Sequence, residues 1–274
     1  MTPEAERSLR ALEAVLDRLD SAVIAYSGGV DSSLLVRVAA LMDGFRFLAV
    51  TADSPTITRE EVRDAKERAQ RWCAPHRLIV TDELQTPGYA ENPANRCYMC
   101  KQTLYPTLCE VARDEGYAHV VDGVNVDDLS DYRPGLIAAR ELGVLHPFVE
   151  AGMTKALVRE VSRGLGMETA ERPASPCLSS RFPYGTRITH DRLRQVEAAE
   201  GELKRLGFVE LRVRHLGETA RVEVAAVELD RLLDPALREQ VEVGVLGAGF
   251  ASVELSPTPL RSGSLNDALP TNTD

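Results

Sequence analysis

The sequence lacks the features of secreted, membrane-spanning and nucleic-acid-coating proteins. Its first 20 residues, beginning Met1-Thr2-Pro3-Glu4, are acidic and amphipathic rather than a basic stretch followed by an apolar run, which argues against a secretory signal. No later apolar run approaches the length of a membrane span. The formal net charge of −10 argues weakly against an extended nucleic-acid surface but leaves room for a local basic pocket. We therefore expect a cytoplasmic protein with neither nucleic acid nor membrane among its partners.

Cysteine is also scarce, and its number is odd. Five cysteines in a chain without a signal disfavour a disulfide framework and indicate a reducing compartment. Packing, metal binding and catalysis remain as their uses. Two of them, Cys73 and Cys109, match no motif and are predicted to be packing residues. The other three are Cys97, Cys100 and Cys177.

The chain is long enough to bury one large core, or a large and a small one, because its 274 residues are 44% apolar. After an amphipathic helix over residues 4–19, short apolar runs alternate with segments of helical periodicity. Strands spaced by helices predict βαβ units in a doubly wound parallel sheet, hence the α/β class. The predicted strands are 22–25, 45–50, 77–80 and 119–121, and the predicted helices are 32–41, 59–71 and 102–115.

A second, smaller domain is predicted after Pro183-Tyr184-Gly185. A helix over about 192–206 leads to strands at 208–215 and 220–224, and Leu216-Gly217-Glu218 between the strands indicates a hairpin. From Ser256 onward the chain is rich in Pro, Ser, Asn, Thr and Asp and has little to bury, which predicts disorder. The expected domains are residues 1–185, a small α+β domain at 186–256 and a disordered tail at 257–274.

The most specific motif is Ser27-Gly28-Gly29-Val30-Asp31-Ser32-Ser33, which follows the first strand and opens a helix. Its glycines let the backbone turn tightly, and the N–H groups at the helix start attract an anion. A plain strand-to-helix turn is the alternative interpretation. The absence of a Gly-Lys-Ser/Thr ending excludes a Walker A loop. The motif resembles the SGG-x-DS loop of PP-loop ATP pyrophosphatases, enzymes with the adenine nucleotide alpha hydrolase-like fold that cleave ATP between the α- and β-phosphates.

This resemblance implies an ATP and Mg²⁺ site at the carboxyl ends of the strands. Asp31 is a candidate for organising Mg²⁺ and pyrophosphate, and Asp53, at the end of the second strand, is a candidate adenosine contact or an ordinary helix cap. The segment 122–128 and its continuation Asp131-Tyr132-Arg133-Pro134-Gly135 are expected to line the site, or to form a turn and a helix start. The candidate nucleotide-binding residues are Ser27, Gly28, Gly29, Asp31, Ser32, Ser33, Asp53 and Gly123.

Cys97-Tyr98-Met99-Cys100 is a Cys-x-x-Cys motif at the start of a predicted helix. Alone, this spacing is compatible with zinc binding, redox chemistry or packing. Zinc is disfavoured because no obvious fourth ligand accompanies the thiols, although His119 or His190 could serve. Together with Cys177, the pair could instead hold a 4Fe-4S cluster by three irons, with the fourth open to an extra sulfide.

Four segments together resemble the LarE family of pyridinium carboxylate mononucleotide sulfur transferases, which help to build the nickel-pincer cofactor of lactate racemase. They are SGGVDSS, NRCYMCK, DYRPG and PCLSSRFPYGTRIT, at 27–33, 95–101, 131–135 and 176–189. The resemblance implies that ATP adenylates a carboxylate of the substrate and that sulfur displaces AMP to give a thiocarboxylate. The family has a form in which one cysteine sacrifices its own sulfur, becoming dehydroalanine, and a three-cysteine, cluster-dependent form. Because Cys97 and Cys100 accompany Cys177, this chain resembles the second form.

The same resemblance assigns roles around Cys177, the predicted catalytic thiol. Ser180 and Arg181 are expected to contact phosphates or developing negative charge, since a guanidinium grips two oxygens at once. Arg212 and Arg214 lie two apart on a predicted strand, hence on one face, and by resemblance bind the substrate phosphate with Glu200 nearby. The alternative is that both arginines lie on the solvated face of an alternating strand.

Three other functions compete with this prediction. A PP-loop tRNA thiolase also pairs the loop with Cys-x-x-Cys, but it needs a basic surface that an acidic chain lacks. An ammonia-using ligase would make Cys177 incidental, and a degenerate nucleotide sensor would release no pyrophosphate. By resemblance we expect a homo-oligomer, a hexamer made of dimers, with a sulfide donor and other cofactor-biosynthesis enzymes as further partners.

Overall fold

The structure, a computed structural model, describes residues 1–130 and 134–261. The chain forms two compact units. Unit 1 comprises Met1–Asp82 and Asn95–Ser175, and unit 2 comprises Glu83–Ala94 and the chain from Pro176 onward. This division differs from the predicted boundary at 185 by the segments 83–94 and 176–185. Within the described ranges, no helix combines the length and apolar character needed to span a bilayer.

Unit 1 is an α/β unit in which strands and helices alternate. Its parallel strands are β1 (Ser21–Ala25), β2 (Arg46–Asp53), β3 (His76–Val80) and β4 (His119–Val121). Its helices are α1 (Pro3–Asp17), α2 (Val30–Leu41), α3 (Arg59–Arg71), α4 (Arg96–Glu115), α5 (Pro134–Glu141), α6 (Pro147–Glu150) and α7 (Lys155–Gly164). Short 3₁₀-helices lie at Val126–Ser130 and Glu168–Glu171.

The sheet of unit 1 has the strand order β3-β2-β1-β4, and apolar side chains bury both of its faces. On one face, Ile24 and Ala49 pack with residues from α1, α2, α3 and α7. On the other, Val23 and Val50 pack with residues from α4 and α5. Successive residues of a strand point to opposite faces, so the apolar runs serve two helix layers at once. The predicted α/β class with a doubly wound parallel sheet is confirmed.

Local sequence explains where the helices of unit 1 begin. Thr58 precedes α3, its hydroxyl accepts from the Glu61 N–H at 3.2 Å, and Glu61 reaches back to the Thr58 backbone, which completes a capping box. Helix α3 spans the predicted range 59–71. Helix α4 begins at Arg96, six residues before the predicted start at 102, so the Cys-x-x-Cys motif lies inside its first turns.

Unit 2 carries a small mixed sheet with the strand order β5-β6-β7. The predicted hairpin is confirmed: β5 and β6 pair antiparallel across the two-residue turn Gly217-Glu218, and β7 adds parallel to β6. The elements are a 3₁₀-helix at Glu83–Gln85, another at Leu178–Arg181, α8 (His190–Arg205), β5 (Leu211–Leu216), β6 (Thr219–Val224), a 3₁₀-helix at Ala226–Glu228, α9 (Leu229–Leu233), α10 (Pro235–Gly247) and β7 (Ser252–Leu255).

Two predicted segments fall partly outside the described residues. Asp131, Tyr132 and Arg133 of the predicted crevice segment lie outside them, as does 262–274 of the predicted tail. The start of that tail region is attached to the sheet, because Ser256 donates its N–H to the Val222 carbonyl at 2.9 Å and Leu260 donates to Val224 at 2.7 Å.

Candidate functional site

The phosphate loop of unit 1 connects β1 to α2 and exposes the start of a helix. Gly28 has a left-handed backbone (φ +77°), and a Cβ there would lie 3.2 Å from the Ala65 Cβ. Gly29 is the N-cap of α2 and provides no side-chain cap for the first N–H groups. Uncapped N–H groups at a helix start, combined with the helix dipole, favour an anion. The loop therefore has the backbone geometry of a phosphate site.

The three predicted serine donors have different environments. The Ser27 and Ser32 hydroxyls lie 3.1 Å apart, and the Ser32 hydroxyl also receives the Ser27 N–H at 3.2 Å. These bonds hold the loop closed on the first turn of α2. Ser33 is fully buried, and its hydroxyl has no hydrogen-bond partner among residues 1–130 and 134–261. Ser27 is exposed, whereas Ser32 and Ser33 are buried, so the ligand contacts of these serines stay a prediction.

Asp31, in the first turn of α2, is the acidic centre of this loop. It forms an ion pair with Lys155 and accepts a hydrogen bond from the Asn125 side chain at 3.3 Å. Lys155 is the first residue of α7, and its backbone N–H donates to the Asp127 carboxylate at 2.7 Å. The sequence analysis did not single out Lys155. The structure adds this cation to the phosphate loop, where it can neutralise a phosphate oxygen.

Gly123, after β4, packs directly against the phosphate loop. A Cβ at this position would lie 2.9 Å from the Ser32 backbone nitrogen and 3.1 Å from the Asp31 carbonyl carbon. No side chain fits at that distance. Glycine at position 123 therefore lets the loop that follows β4 pack against the loop that follows β1. The predicted segment 122–128 thus borders the loop of Asp31, as the resemblance implied.

Asp122, just before Gly123, is the centre of a buried hydrogen-bond network. Its carboxylate accepts from the Tyr105 hydroxyl at 2.6 Å and lies 2.7 Å from the His146 Nδ1. Burial alone would raise the pKa of Asp122, but the hydrogen bond and charge of His146, with Lys101 and Tyr105, lower it below its ordinary value. Asp122 is therefore an ionised anchor for the loop that follows β4 rather than a proton donor.

Asp53 lies at the end of β2, where the sequence placed a candidate adenosine contact. Its carboxylate forms an ion pair with Arg59, in the first turn of α3. Arg59 also donates to the Ile57 carbonyl at 3.0 Å, so the pair fixes the β2–α3 connection. The adenosine role of Asp53 stays a prediction.

All five cysteines lie within the described residues as thiols. Cys97 and Cys100 lie one turn apart on α4, so they share one face of the helix, with Cys97 exposed and Cys100 half-buried. Both belong to unit 1, whereas Cys177 belongs to unit 2. In the part of the chain that the structure describes, no group of three or more His, Cys, Asp or Glu side chains is arranged as a metal site. The cluster ligand set stays a prediction.

The loop that carries Cys177 in unit 2 is held by its own backbone. Cys177 is the N-cap of the 3₁₀-helix Leu178–Arg181, and its carbonyl accepts the Ser180 N–H at 2.9 Å. The Arg181 guanidinium donates to the same carbonyl at 3.2 Å and to the Ser180 hydroxyl at 3.0 Å. Cys177 itself is half-buried.

Arg181 and Glu200 form a buried, bidentate ion pair. Nε and Nη2 of Arg181 donate to the two carboxylate oxygens of Glu200 at 2.8 and 3.0 Å. The side chains are 5% and 4% exposed. Glu200 also accepts the Val213 backbone N–H at 3.0 Å, which ties α8 to β5. Glu200 therefore acts first as the counter-ion of Arg181.

Arg212 and Arg214 are buried, with exposures of 6% and 3%, so the solvated-face interpretation is wrong. Arg214 donates to Glu223 at 2.9 Å and to the Ser180 carbonyl at 2.8 Å. The Arg212 guanidinium makes no hydrogen bond or ion pair with any residue in the described ranges of unit 2. Burial, with the nearby Arg214 and Arg181 charges, lowers the pKa of Arg212.

This guanidinium cluster is deficient in negative charge. Three buried arginines, 181, 212 and 214, face two carboxylates, those of Glu200 and Glu223. Arg212 is the one of the three that forms no ion pair with the described residues of unit 2, in a site from which water is largely excluded. Such an arrangement is costly unless an anion binds, and a phosphate supplies the charge and the acceptor oxygens that a guanidinium requires. The cluster and the Cys177 loop share Ser180 and Arg181, so they form one site.

No protein-family model matches the chain. The chain is 44% identical over 265 residues to an uncharacterized protein of Synechocystis sp., covering 96% of this chain and 98% of that protein. It is 36% identical over 259 residues to the pyridinium-3,5-bisthiocarboxylic acid mononucleotide synthase of Lactiplantibacillus plantarum, covering 94% of this chain and 93% of that synthase. A probable tRNA sulfurtransferase of Methanothermobacter thermautotrophicus is 26% identical over 157 residues, or 53% of this chain and 40% of that protein.

Proposed function

The chain belongs to the LarE family together with the Lactiplantibacillus plantarum synthase, and we propose that it catalyses ATP-dependent sulfur transfer to the carboxylates of a pyridinium mononucleotide. The observation that carries this proposal is the site in unit 2, where the backbone carbonyl of half-buried Cys177 accepts a hydrogen bond from Arg181, a member of a guanidinium cluster in which Arg212 has no ion pair among the described residues. A thiol beside a phosphate site suits a substrate that carries both a phosphate and a group to be thiolated.

Activation of the carboxylate is assigned to unit 1. A carboxylate resists nucleophiles, whereas its acyl-adenylate has AMP as a good leaving group. The backbone N–H groups of Gly28 and Gly29 and the Ser27 and Ser32 hydroxyls would bind the phosphates of ATP. Asp31 would hold Mg²⁺, and its partner Lys155 would then turn to a phosphate oxygen. Lys155 would thus contact the phosphate only when nucleotide is bound, and would pair with Asp31 otherwise.

Arg212 is the residue we assign to the substrate phosphate. It is nearly buried, has no acceptor within the described part of unit 2, and lies beside two other guanidinium groups. Arg214 has acceptors of its own in Glu223 and Ser180, so it supplies charge and orientation rather than an unoccupied donor. Arg181, fixed by Glu200, orients the Cys177 carbonyl and the Ser180 hydroxyl.

The cysteines fit an iron-sulfur cluster in their chemistry. Cys97 and Cys100 present thiols from one helix face, and the exposure of Cys97 leaves room for a bulky inorganic group. With Cys177 as third ligand, a 4Fe-4S cluster would keep one iron open to an extra sulfide. The alternative is sacrificial transfer, in which the sulfur of Cys177 itself leaves and dehydroalanine remains. From the resemblance to the family we also propose that a sulfide donor supplies the sulfur and that the chain assembles into a hexamer.

Mass spectrometry of protein and product tests this function. The full-length protein is incubated anaerobically with ATP and pyridinium-3,5-biscarboxylic acid mononucleotide, alongside Cys177→Ala and the control Cys73→Ala, which removes an exposed thiol outside every motif. We expect wild type and Cys73→Ala to form thiocarboxylate, and Cys177→Ala to release pyrophosphate without forming it. Loss of one sulfur at Cys177 would indicate the sacrificial route, and product without that loss the cluster. Full-rate thiolation by Cys177→Ala would refute the assignment.

A further inference from the structure

The segment Glu83–Ala94 belongs to unit 2 although the chain on either side of it belongs to unit 1. It packs on the loop that carries Cys177 through a set of specific bonds. The backbone N–H of Gly185 donates to the Asn92 carbonyl at 3.0 Å, and that of Ile188 donates to the Ala90 carbonyl at 2.8 Å. The segment thus binds the C-terminal part of the Cys177 loop, at residues 185–188.

The side chain of Asn92 binds the loop through two hydrogen bonds. Its buried amide nitrogen donates to the Phe182 carbonyl at 3.2 Å and to the Pro183 carbonyl at 2.7 Å, so both hydrogens of the amide are used. Its backbone is left-handed (φ +57°), a conformation that Asn tolerates better than most residues. A residue with two donors and a tolerance for positive φ is required here, and asparagine meets both conditions.

A second contact holds the other end of the loop. The hydroxyls of Tyr89 and Ser179 lie 2.9 Å apart, and both residues are buried. Ser180 and Arg181 lie between the two anchors, and Cys177 lies two residues before Ser179. The segment therefore fixes the loop on both sides of the residues that adjoin the guanidinium cluster.

We propose that Asn92, supported by Tyr89, is a positioning residue for sulfur transfer, because it clamps the loop that presents Cys177 and Arg181. This inference rests on the proposed function. Asn92 does not touch the reacting atoms in this assignment. It acts by limiting the positions that the thiol and the guanidinium can adopt, and a displacement of about 1 Å in such a group can cost about a hundredfold in rate.

Two substitutions at Asn92 distinguish the effect of its side-chain donors from the effect of its backbone conformation. Asn92→Asp keeps the shape and the tolerance for positive φ but replaces the two donors by a carboxylate facing two carbonyl oxygens. Asn92→Gly keeps the backbone conformation at no steric cost and removes the side chain. Tyr89→Phe removes the hydroxyl that pairs with the Ser179 hydroxyl. Gln240→Glu makes the same amide-to-carboxylate change at an exposed position of α10 and serves as the control.

The full-length proteins are compared by three measurements. These are pyrophosphate release, thiocarboxylate formation, and the alkylation rate of Cys177 relative to exposed Cys73. We expect both Asn92 variants to release pyrophosphate at the wild-type rate, to form thiocarboxylate about a hundredfold more slowly, and to expose Cys177 to faster alkylation. Tyr89→Phe should lose about tenfold in transfer, because the hydrogen bond to Ser179 is lost. Gln240→Glu should match wild type.

A pH series distinguishes positioning by these donors from a general loss of structure. Protonation of the carboxyl introduced by Asn92→Asp restores one donor, and burial raises the pKa of such a group. The transfer defect of Asn92→Asp relative to wild type should therefore shrink as the pH falls, whereas that of Asn92→Gly should stay constant.

Several results would overturn the clamp. One is sulfur transfer by the Asn92 variants at the wild-type rate. Another is an equal loss of pyrophosphate release and of sulfur transfer in these variants, which would indicate a purely structural role for Asn92. If neither Asn92 variant folds, wild-type transfer and alkylation in Tyr89→Phe would overturn it. If the wild-type protein itself forms no thiocarboxylate, the proposed function fails, and the Cys177 alkylation ratio still decides whether Asn92 holds the loop.

Discussion

Replacing Glu200 by Ala is expected to destabilise unit 2 by about 3–5 kcal/mol. Glu200 accepts two hydrogen bonds from Arg181 and one from the Val213 N–H, at 2.8, 3.0 and 3.0 Å. Because the pair is almost inaccessible to water, solvent cannot replace the lost carboxylate. The variant leaves Glu223 as the carboxylate that faces the three guanidinium groups of the cluster.

The size of the stability loss in Glu200→Ala depends on which of three contributions is largest. Two hydrogen bonds to charged groups contribute about 1.5–3 kcal/mol each, and an orphaned buried N–H costs about 1–3 kcal/mol. These terms overlap, because the cost of removing one partner of a buried ion pair already includes the stranded charge, about 3–5 kcal/mol. Glu200→Gln keeps an acceptor for Val213 but loses the charge, so it should fall between wild type and Glu200→Ala.

Hydrogen exchange on β5 and β6 is the appropriate assay. The single tryptophan, Trp72, lies in unit 1, so its fluorescence does not report on unit 2. Urea denaturation followed by exchange at the Val213 amide measures the local free energy of opening. Glu202→Ala is the matched control on α8: Glu202 pairs with Arg205 at 35% side-chain exposure, and its loss should cost less than about 1 kcal/mol.

Two results would refute this reasoning. One is a Glu200→Ala protein whose stability lies within about 1 kcal/mol of Glu202→Ala. The other concerns phosphate: an anion that enters the cluster supplies the missing charge, so inorganic phosphate should stabilise Glu200→Ala more than wild type. Equal stabilisation of both proteins would contradict a charge deficit at these arginines.

Three further predictions concern the phosphate loop and a buried histidine. Lys155→Met should lower pyrophosphate release about a hundredfold, since Asp31 loses its partner and the triphosphate loses a cation, and steady-state kinetics would test this. Gly123→Ala should cost about 1–3 kcal/mol in unit 1 by thermal denaturation, whereas Gly201→Ala, with no atom within 4 Å, should be neutral or stabilising. Burial lowers the pKa of His215 below 6.5, so the unfolded state takes up the proton first. Stability should therefore fall as the pH drops through about 6.5, less steeply in His215→Phe.

The sheet of unit 1 could be predicted because its strands are apolar on both faces and its helices are periodic. Helix α3 has both its cap and its charged last turn in the sequence, which explains why its bounds were predictable. Strand β7 was not predicted. Its four residues are exposed or half-buried, so no apolar alternation marks it, and it forms by adding to β6.

The phosphate loop could be located because glycine at a strand-to-helix turn is a local signal. Lys155 was missed because a Thr-Lys pair at a helix start is ordinary, and only the packing of α7 brings it to Asp31. The burial of Arg212 and Arg214 could not be predicted for the same reason. Their carboxylate neighbours, Glu200 and Glu223, come from α8 and β6, and alternation along β5 alone resembles a solvated face.

The interrupted chain order of unit 2 has a consequence for biosynthesis. Residues 83–94 leave the ribosome well before the loop 176–188 that they bind. At about 5–20 residues per second, Tyr89 and Asn92 wait roughly 5–20 seconds for their partners. A nascent chain that stops before Pro176 therefore carries these two side chains without the loop they bind, and unit 2 can close only once most of the polypeptide has been made.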